Sequence, residues 1–242
     1  LRHCVGAGEP VNPEVIDAWR EGTGHHIWEG NGQTESVLCV ATFPGMRYKP
    51  GSMGVAAPGF RMGVVDEHGT ELPAGQEGDL ALRPGWPSMF RTYWRNEEMY
   101  NSRFRNGWYI TGDRARKDPE GYFWFIGRAD DVIISASYRI GPFEVESALL
   151  EHAAVAEAAV VASPDEMRGD IVKAFVVLGP GHRPSDALVV ELQEHVRRVT
   201  APYKYPREIE FLEDLPKTIS GKIRRTELRQ RELERKGRGG RK

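Results

Sequence analysis

The sequence predicts a mixed α/β and α+β protein: the end of an α/β subdomain over about residues 1–53, a β-rich subdomain over about 54–128, and a small mobile α+β domain over 129–242. Three observations lead there. A strand-like start runs through a glycine-rich turn into a helical pattern, the middle consists of short apolar runs cut by Gly, Pro, Asn and Asp, and after Gly127 helical and strand patterns alternate again.

Residues 1–5 read as a strand end entering the turn Gly6-Ala7-Gly8-Glu9-Pro10, and residues 13–21 as a helix. Pro13 suits the first helical turn, where its missing N–H is harmless, and Val15, Ile16 and Trp19 recur at helical spacing. Residues 27–41 read as strand, polar turn, strand. The runs 60–65, 78–82 and 122–126 predict antiparallel strands, with tight turns at Glu67-His68-Gly69 and Pro119-Glu120-Gly121. Beyond Gly127 the pattern gives a strand at 131–135 and a helix opening near Pro142 through Val145, Leu149 and Leu150. Strands at 156–162 and 172–178 follow. A helix N-capped by Ser185 then carries Leu188, Leu192, Val196 and Val199 on one face, and a strand at 209–212 precedes a lysine-bearing loop and a terminal helix.

The 242 residues, 40% of them hydrophobic, suffice for a substantial core. Thirty-three basic against thirty-five acidic side chains leave a formal charge of −2, which excludes a field suited to wrapping nucleic acid. The tail is the basic exception: Arg224, Arg225, Arg229, Arg231, Arg235, Lys236, Arg238, Arg241 and Lys242 alternate with Glu227, Glu232 and Glu234, as in a solvated helix followed by a frayed Gly-rich end. Cys4 and Cys39 are too few and too far apart for a metal cluster and fit a reducing compartment. No apolar run approaches the roughly 18 residues of a membrane span, and no signal or transit peptide opens the chain, so a cytoplasmic location is expected. Because residue 1 is Leu rather than Met, a natural amino terminus is expected to lie upstream.

Four polar segments are candidates to carry chemistry. Asn31-Gly32-Gln33-Thr34-Glu35 is either a plain polar turn or a phosphate site, since a Thr hydroxyl can bond a phosphate oxygen and a neighbouring carboxylate can hold Mg²⁺. Tyr109-Ile110-Thr111-Gly112-Asp113 either ends a strand or offers a carboxylate, unobstructed beside Gly, to both hydroxyls of a ribose. Arg128 is half of a surface ion pair or a second donor to that sugar. Lys222, in the loop 215–223, is a solvated lysine or a mobile cation carried to a reacting phosphate.

Read in order, Gly8-Glu9-Pro10, Gly32-Gln33-Thr34-Glu35, residues 109–113, residues 127–131, Tyr138-Arg139-Ile140-Gly141 and residues 216–222 resemble the adenylate-forming superfamily of acyl-CoA synthetases, luciferases and peptide-synthetase adenylation domains. Within it, residues 127–131, 138–146 and 200–206 are most similar to the medium-chain acyl-CoA synthetase branch. The resemblance implies an acid–thiol ligase that activates a carboxylic acid with ATP and Mg²⁺ and passes it to CoA. Gly8, Glu9 and Pro10 would line the adenine site, and Glu29, Gly30, Asn31, Gly32, Gln33 and Thr34 the adenylate. Glu35 would hold the metal, Asp113 and Arg128 the ribose, and Lys222 with Thr34 would be catalytic. Asp130 would be a hinge. Ala136, Ser137, Tyr138 and Arg139 would border the pantetheine arm, with Arg168 and Arg207 on the CoA phosphates.

The chain departs from that pattern in three places. It has no Ser/Thr/Gly-rich phosphate loop ending in Pro-Lys, which the resemblance assigns to an amino-terminal half of the same enzyme. Asn31 stands where an aromatic residue usually stacks on adenine, and Ser137 where Gly is usual. A non-catalytic module that keeps affinity for nucleotide or CoA is the alternative.

Overall fold

In the computed structural model, which describes residues 1–237, Asn12 starts the first helix: its side chain accepts the Glu14 amide at 2.8 Å and Pro13 fills the first turn. The chain divides between Ala129 and Asp130 into two compact units. Arg238, Arg241 and Lys242 of the basic tail lie outside the described residues.

The first unit runs β1 (Cys4–Ala7), α1 (Pro13–Thr23), β2 (Ile27–Gln33), β3 (Val37–Ala41), β4 (Ser52–Ala56), β5 (Met62–Val65), β6 (Glu77–Leu82), α2 (Glu97–Ser102), β7 (Phe104–Arg105), β8 (Trp108–Lys117) and β9 (Phe123–Arg128). The strands form one path, β1-β2-β3-β4-β9-β8-β6-β5, with β7 beside β8. Only β1 and β2 pair in parallel; the other pairings are antiparallel. Its core gathers Cys39, Val40, Met53, Val64, Leu80, Leu82, Tyr109 and Phe123. The α/β beginning and the β-rich middle therefore share a sheet, because Val40 of β3 pairs with Ala56 of β4.

The first unit departs from the expected stripe on α1 and adds a short helix, α2, that the sequence pattern does not predict. Of the helical stripe on α1, Ile16 is fully buried, but Val15 and Trp19 are 54% and 36% exposed. Helix α2 has no apolar stripe and no buried residue, so its sequence carries no period; Asn96 caps it by accepting the Met99 amide at 3.1 Å.

The second unit runs β10 (Ile133–Ser135), β11 (Tyr138–Ile140), α3 (Pro142–Leu150), β12 (Val155–Asp165), β13 (Gly169–Leu178), α4 (Asp186–Val199), a 3₁₀ turn (Pro202–Lys204), β14 (Glu208–Leu212) and α5 (Arg225–Arg235). The sheet order is β11-β10-β13-β12, with β14 added in parallel to β13. Ile133, Ile140, Val145, Leu149, Val160, Val176 and Leu192 fill the core. Ser185 accepts the Leu188 amide at 3.2 Å and caps α4, as expected, whereas Val199 is 43% exposed at the helix end rather than on the buried face.

The single strand expected at 131–135 is a hairpin, β10 and β11, turned through Ala136 (φ 48°) and Ser137 (φ 72°). Neither residue is glycine, so the turn gives no composition signal. The long β12–β13 hairpin continues past its apolar run through Ser163, Pro164 and Asp165. Under it, the buried Lys173 ammonium donates to Glu232 at 2.6 Å and to Glu210 at 2.6 Å, and the Ser163 hydroxyl donates to Glu232 at 2.9 Å. Burial works to raise the Glu232 pKa, but Arg235, Lys173 and Ser163 outweigh it and hold the carboxyl at about 2. This cluster fastens α5 to the sheet.

Candidate active site

The turn between β2 and β3 is set by Gly32, where a Cβ would lie 2.1 Å from the Val37 carbonyl oxygen. Only glycine permits that approach. The Ser36 amide closes the turn on the Gln33 carbonyl at 3.0 Å, presenting Gln33, Thr34 and Glu35. Gln33 then reaches across to β8: its Oε1 accepts the Tyr109 hydroxyl at 2.9 Å and its Nε2 donates to the Thr111 carbonyl at 3.3 Å. Burial, reinforced by the nearby Glu35 carboxylate, raises the Tyr109 pKa and keeps the phenol a donor. Glu35 Oε1 accepts the Tyr93 hydroxyl at 2.8 Å, and its carbonyl accepts the Phe90 amide at 2.8 Å. Thr34 is exposed.

On β8, Asp113 lies opposite Arg128 of β9, and Arg128 Nη1 donates to Asp113 Oδ1 at 3.1 Å. The Asp113 amide is fixed on Thr111 Oγ1 at 3.1 Å, and that hydroxyl donates to the Leu80 carbonyl at 2.8 Å. Gly112 adopts φ 84°, and a Cβ there would press on the Arg128 and Arg103 guanidiniums at 3.2 and 3.3 Å. The Asp113 side chain is 10% exposed and that of Arg128 45%. A nearly buried acceptor beside a reachable donor suits a vicinal diol.

The loop Gly8-Glu9-Pro10 leaves β1 next to the same turn, since Ala7 pairs with Gly30 in the parallel β1–β2 ladder. Behind it sits Glu29, 8% exposed, whose Oε1 accepts the Val11 amide at 3.3 Å. Its Oε2 has no hydrogen-bond partner among the described residues, and burial pushes the carboxyl up to about 7. Asn31 pairs with Val40, and its carbonyl accepts the Cys39 thiol at 3.6 Å.

Lys222 belongs to the second unit. Its loop is a narrow hairpin: the Thr218 amide donates to the Lys222 carbonyl at 2.8 Å, the Lys222 amide to Thr218 Oγ1 at 3.1 Å, and Lys217 bridges Ile223. Lys217 is tied to Glu157 at 2.8 Å and Asp214 at 3.0 Å, while Lys222 is exposed. In the same unit the Ala136 amide donates to the Arg168 carbonyl at 3.0 Å, joining the Ala136–Ser137 turn to the start of β13. Tyr138 stacks on Tyr203 with ring centroids 4.3 Å apart. Arg139 is exposed on β11, and Arg207 donates to the Tyr205 hydroxyl at 2.8 Å and, through its amide, to the Val172 carbonyl of β13 at 2.8 Å.

Sequence reasoning missed Tyr93, Tyr203 and Tyr205 as site neighbours. Tyr93 lies 58 residues from the Glu35 it bonds, with no local pattern to mark it.

Known proteins match this chain in sequence and fold. The AMP-binding enzyme family model matches residues 1–94, and the AMP-binding enzyme C-terminal domain model residues 144–222. Acyl-coenzyme A synthetase ACSM3, mitochondrial, of Mus musculus is 56% identical over 237 residues, 96% of this chain and 41% of its own length. Acyl-coenzyme A synthetase ACSM5, mitochondrial, of Homo sapiens is 54% identical over the same 237 residues, again 41% of its length. The crystal structure of the anthranilate CoA ligase AuaEII in complex with anthranoyl-AMP is similar with a TM-score of 0.90 at 39% identity, over 98% of this chain and 45% of that one. ATP-bound MatB from Rhodopseudomonas palustris gives 0.87 at 31%, over 95% and 45%. The chain thus spans about two fifths of the length of the curated relatives it matches. Their mitochondrial location overturns the cytoplasmic one expected from the sequence. A targeting leader is read and removed separately from the folded body, so the composition of the body does not report the compartment.

Proposed function

We infer that this chain, which belongs to the AMP-binding enzyme family, is the carboxy-terminal part of an ATP-dependent acyl-CoA synthetase. The observation that supports this most is Gln33, whose two hydrogen bonds join the Gly32–Glu35 turn to the strand that carries Asp113. One side chain thereby sets a candidate phosphate and metal turn against a candidate ribose pair.

In the proposed reaction a carboxylate attacks the α-phosphate of ATP, giving acyl-adenylate and pyrophosphate, and the CoA thiol then displaces AMP. Neither step needs a protein nucleophile, so the side chains act by positioning and by charge. Asp113 accepts the ribose hydroxyls while Arg128 orients its carboxylate and donates to the sugar. Thr34 donates to a phosphate oxygen. Lys222, exposed on its hairpin, brings a cation to the charge that develops on the α-phosphate. The Gly8-Glu9-Pro10 loop and residues 29–31 border the adenine. Ala136, Ser137, Tyr138, Arg139, Arg168 and Arg207 form the CoA side, and Asp130 is the hinge between the two poses.

The residues fit Mg²⁺: Glu35 offers one carboxylate held by Tyr93, and no group of three acidic, His or Cys residues crowds it among the described residues. A magnesium ion takes one or two carboxylates with water and substrate phosphates, and when bound it would neutralise phosphate charge. The β- and γ-phosphates would be held by a segment outside this chain, since no Ser/Thr/Gly-rich loop ending in Pro-Lys occurs in it. A medium-chain fatty acid as substrate rests on the resemblance of residues 127–131, 138–146 and 200–206 to that branch. A mitochondrial location rests on the relatives.

The test is to supply the full-length protein with ATP, Mg²⁺, CoA and straight-chain carboxylic acids of increasing length, and to identify products by mass spectrometry. Equimolar acyl-CoA and AMP, greatest for medium-chain acids, are expected. ADP as the nucleotide product, or no thioester with any acid, would sink the reading.

A further inference from the structure

We propose that Arg229 is a positioning residue that couples the backbone at Asp130 to the Lys222 loop through helix α5; this rests on the reading of Asp130 as hinge and Lys222 as catalytic cation. Helix α5 begins at Arg225, three residues after Lys222. Arg225 grips Glu146 with two bonds, Nε to Oε1 at 3.0 Å and Nη2 to Oε2 at 2.8 Å. Glu146 is 4% exposed and also accepts the Val160 amide at 2.8 Å, so it ties α3, β12 and the start of α5 together. The Arg224 amide closes the hairpin on the Pro216 carbonyl at 2.8 Å.

One helical turn beyond Arg225, and therefore on the same face, Arg229 Nη1 donates to the Asp130 carbonyl at 2.7 Å and to Asp131 Oδ1 at 3.0 Å. The side chains of Arg229 and Asp131 are 28% and 17% exposed, so solvent screens the pair less than a fully exposed ion pair. Just before Arg229, Leu228 is 2% exposed, and farther along Glu232 is buried against Lys173. The helix cannot slide or turn without breaking these contacts. The Asp130 peptide and the exit of the lysine hairpin are consequently bolted to one rigid element. Rotation is left to the torsions on the amino side of the Asp130 carbonyl, and the lysine loop is carried by it as a block.

Neither Arg229 nor its partners touch substrate in this account. Their effect is on where Lys222 arrives, and only the adenylation step uses Lys222. In the full-length protein, Arg229→Gln is expected to lower kcat for carboxylate-dependent ATP–pyrophosphate exchange about tenfold, with KM for ATP within about twofold. Thioester formation from supplied acyl-adenylate and CoA stays within about threefold of wild type. Arg229→Lys, which keeps one charged donor, recovers most of the exchange. Amide hydrogen exchange reads the coupling without activity: in Arg229→Gln, residues 130–132 and 218–224 exchange faster together, while β12 is unchanged. The proposal is overturned if pyrophosphate exchange stays within about twofold of wild type. It is equally overturned if both half-reactions fall by one factor alongside faster amide exchange throughout β12, or if residues 130–132 speed up and residues 218–224 do not. Wild-type protein without any carboxylate-dependent exchange would instead remove the functional reading, and the amide measurement would then judge the coupling alone.

Discussion

Asp113 and Arg128 stand opposite each other in the β8–β9 ladder, and the guanidinium donates to the carboxylate at 3.1 Å over a glycine whose missing Cβ leaves it room. Both partners are backbone-fixed, Asp113 by the Thr111 hydroxyl and the following segment by the Ala129 amide on the Gly112 carbonyl at 2.9 Å. An acceptor held this way needs little reorganisation to take two hydroxyls.

Asp113→Ala should therefore weaken AMP binding by about 30-fold, in line with hydrogen bonds to a charged group. Titration calorimetry with AMP and with its 2′,3′-dideoxy analogue separates the cause. Wild type should lose a similar factor on the analogue, and the variant should not distinguish the two ligands. A variant that still prefers AMP would place the ribose elsewhere.

Gln33→Leu leaves the Tyr109 hydroxyl and the Thr111 carbonyl without their partner at the centre of the turn-to-strand link. The expected loss is about 1–3 kcal/mol of unfolding free energy. Urea denaturation measures it, and Tyr109→Phe/Gln33→Leu should lose less than the sum of the singles. Full additivity would mean that the bridge carries no coupling.

Glu29 gives a pH dependence with a definite sign. Its carboxyl is raised from 4.5 to about 7 in the fold, so the folded chain holds the proton more tightly than the unfolded one. The resulting stability is complete below about pH 4.5 and is lost as pH rises through 7. Glu29→Gln should flatten that fall and exceed wild type by up to roughly 3 kcal/mol above pH 7. Urea midpoints from pH 5 to 8 for both proteins decide it; parallel curves would show that Glu29 ionises without cost.

Ser137 holds φ 72° next to Ala136 at 48°, a region that costs an L-residue roughly 1–2 kcal/mol. Ser137→Gly should stabilise the second unit by about 0.5–1 kcal/mol after the entropy of the added glycine, and so raise its thermal midpoint. An unchanged or lower midpoint would mean the turn is relaxed with serine.

Much of this was legible in the sequence wherever the determinant is local. Ser185 with Leu188, Leu192 and Val196 announces α4, Pro13 announces α1, and the ordered Gly-bearing motifs announce the family. What stayed hidden depends on distant partners or unmarked turns. Tyr93 reaches Glu35 across 58 residues and Arg225 reaches Glu146 across 79. The Ala136–Ser137 turn lacks the glycine that would flag it, and α2 buries nothing, so it has no apolar period to read. Lys222 was visible as a loop lysine, but the contacts of the following helix, Arg225 with Glu146 and Arg229 with Asp130 and Asp131, were not.

Lys222→Ala removes the cation proposed here for carboxylate activation. In full-length protein, carboxylate- and Mg²⁺-dependent ATP–pyrophosphate exchange should fall by about 100-fold or more, while transfer from preformed acyl-adenylate to CoA stays within about threefold. Exchange that survives the substitution, or a loss shared equally by both half-reactions, would contradict the account.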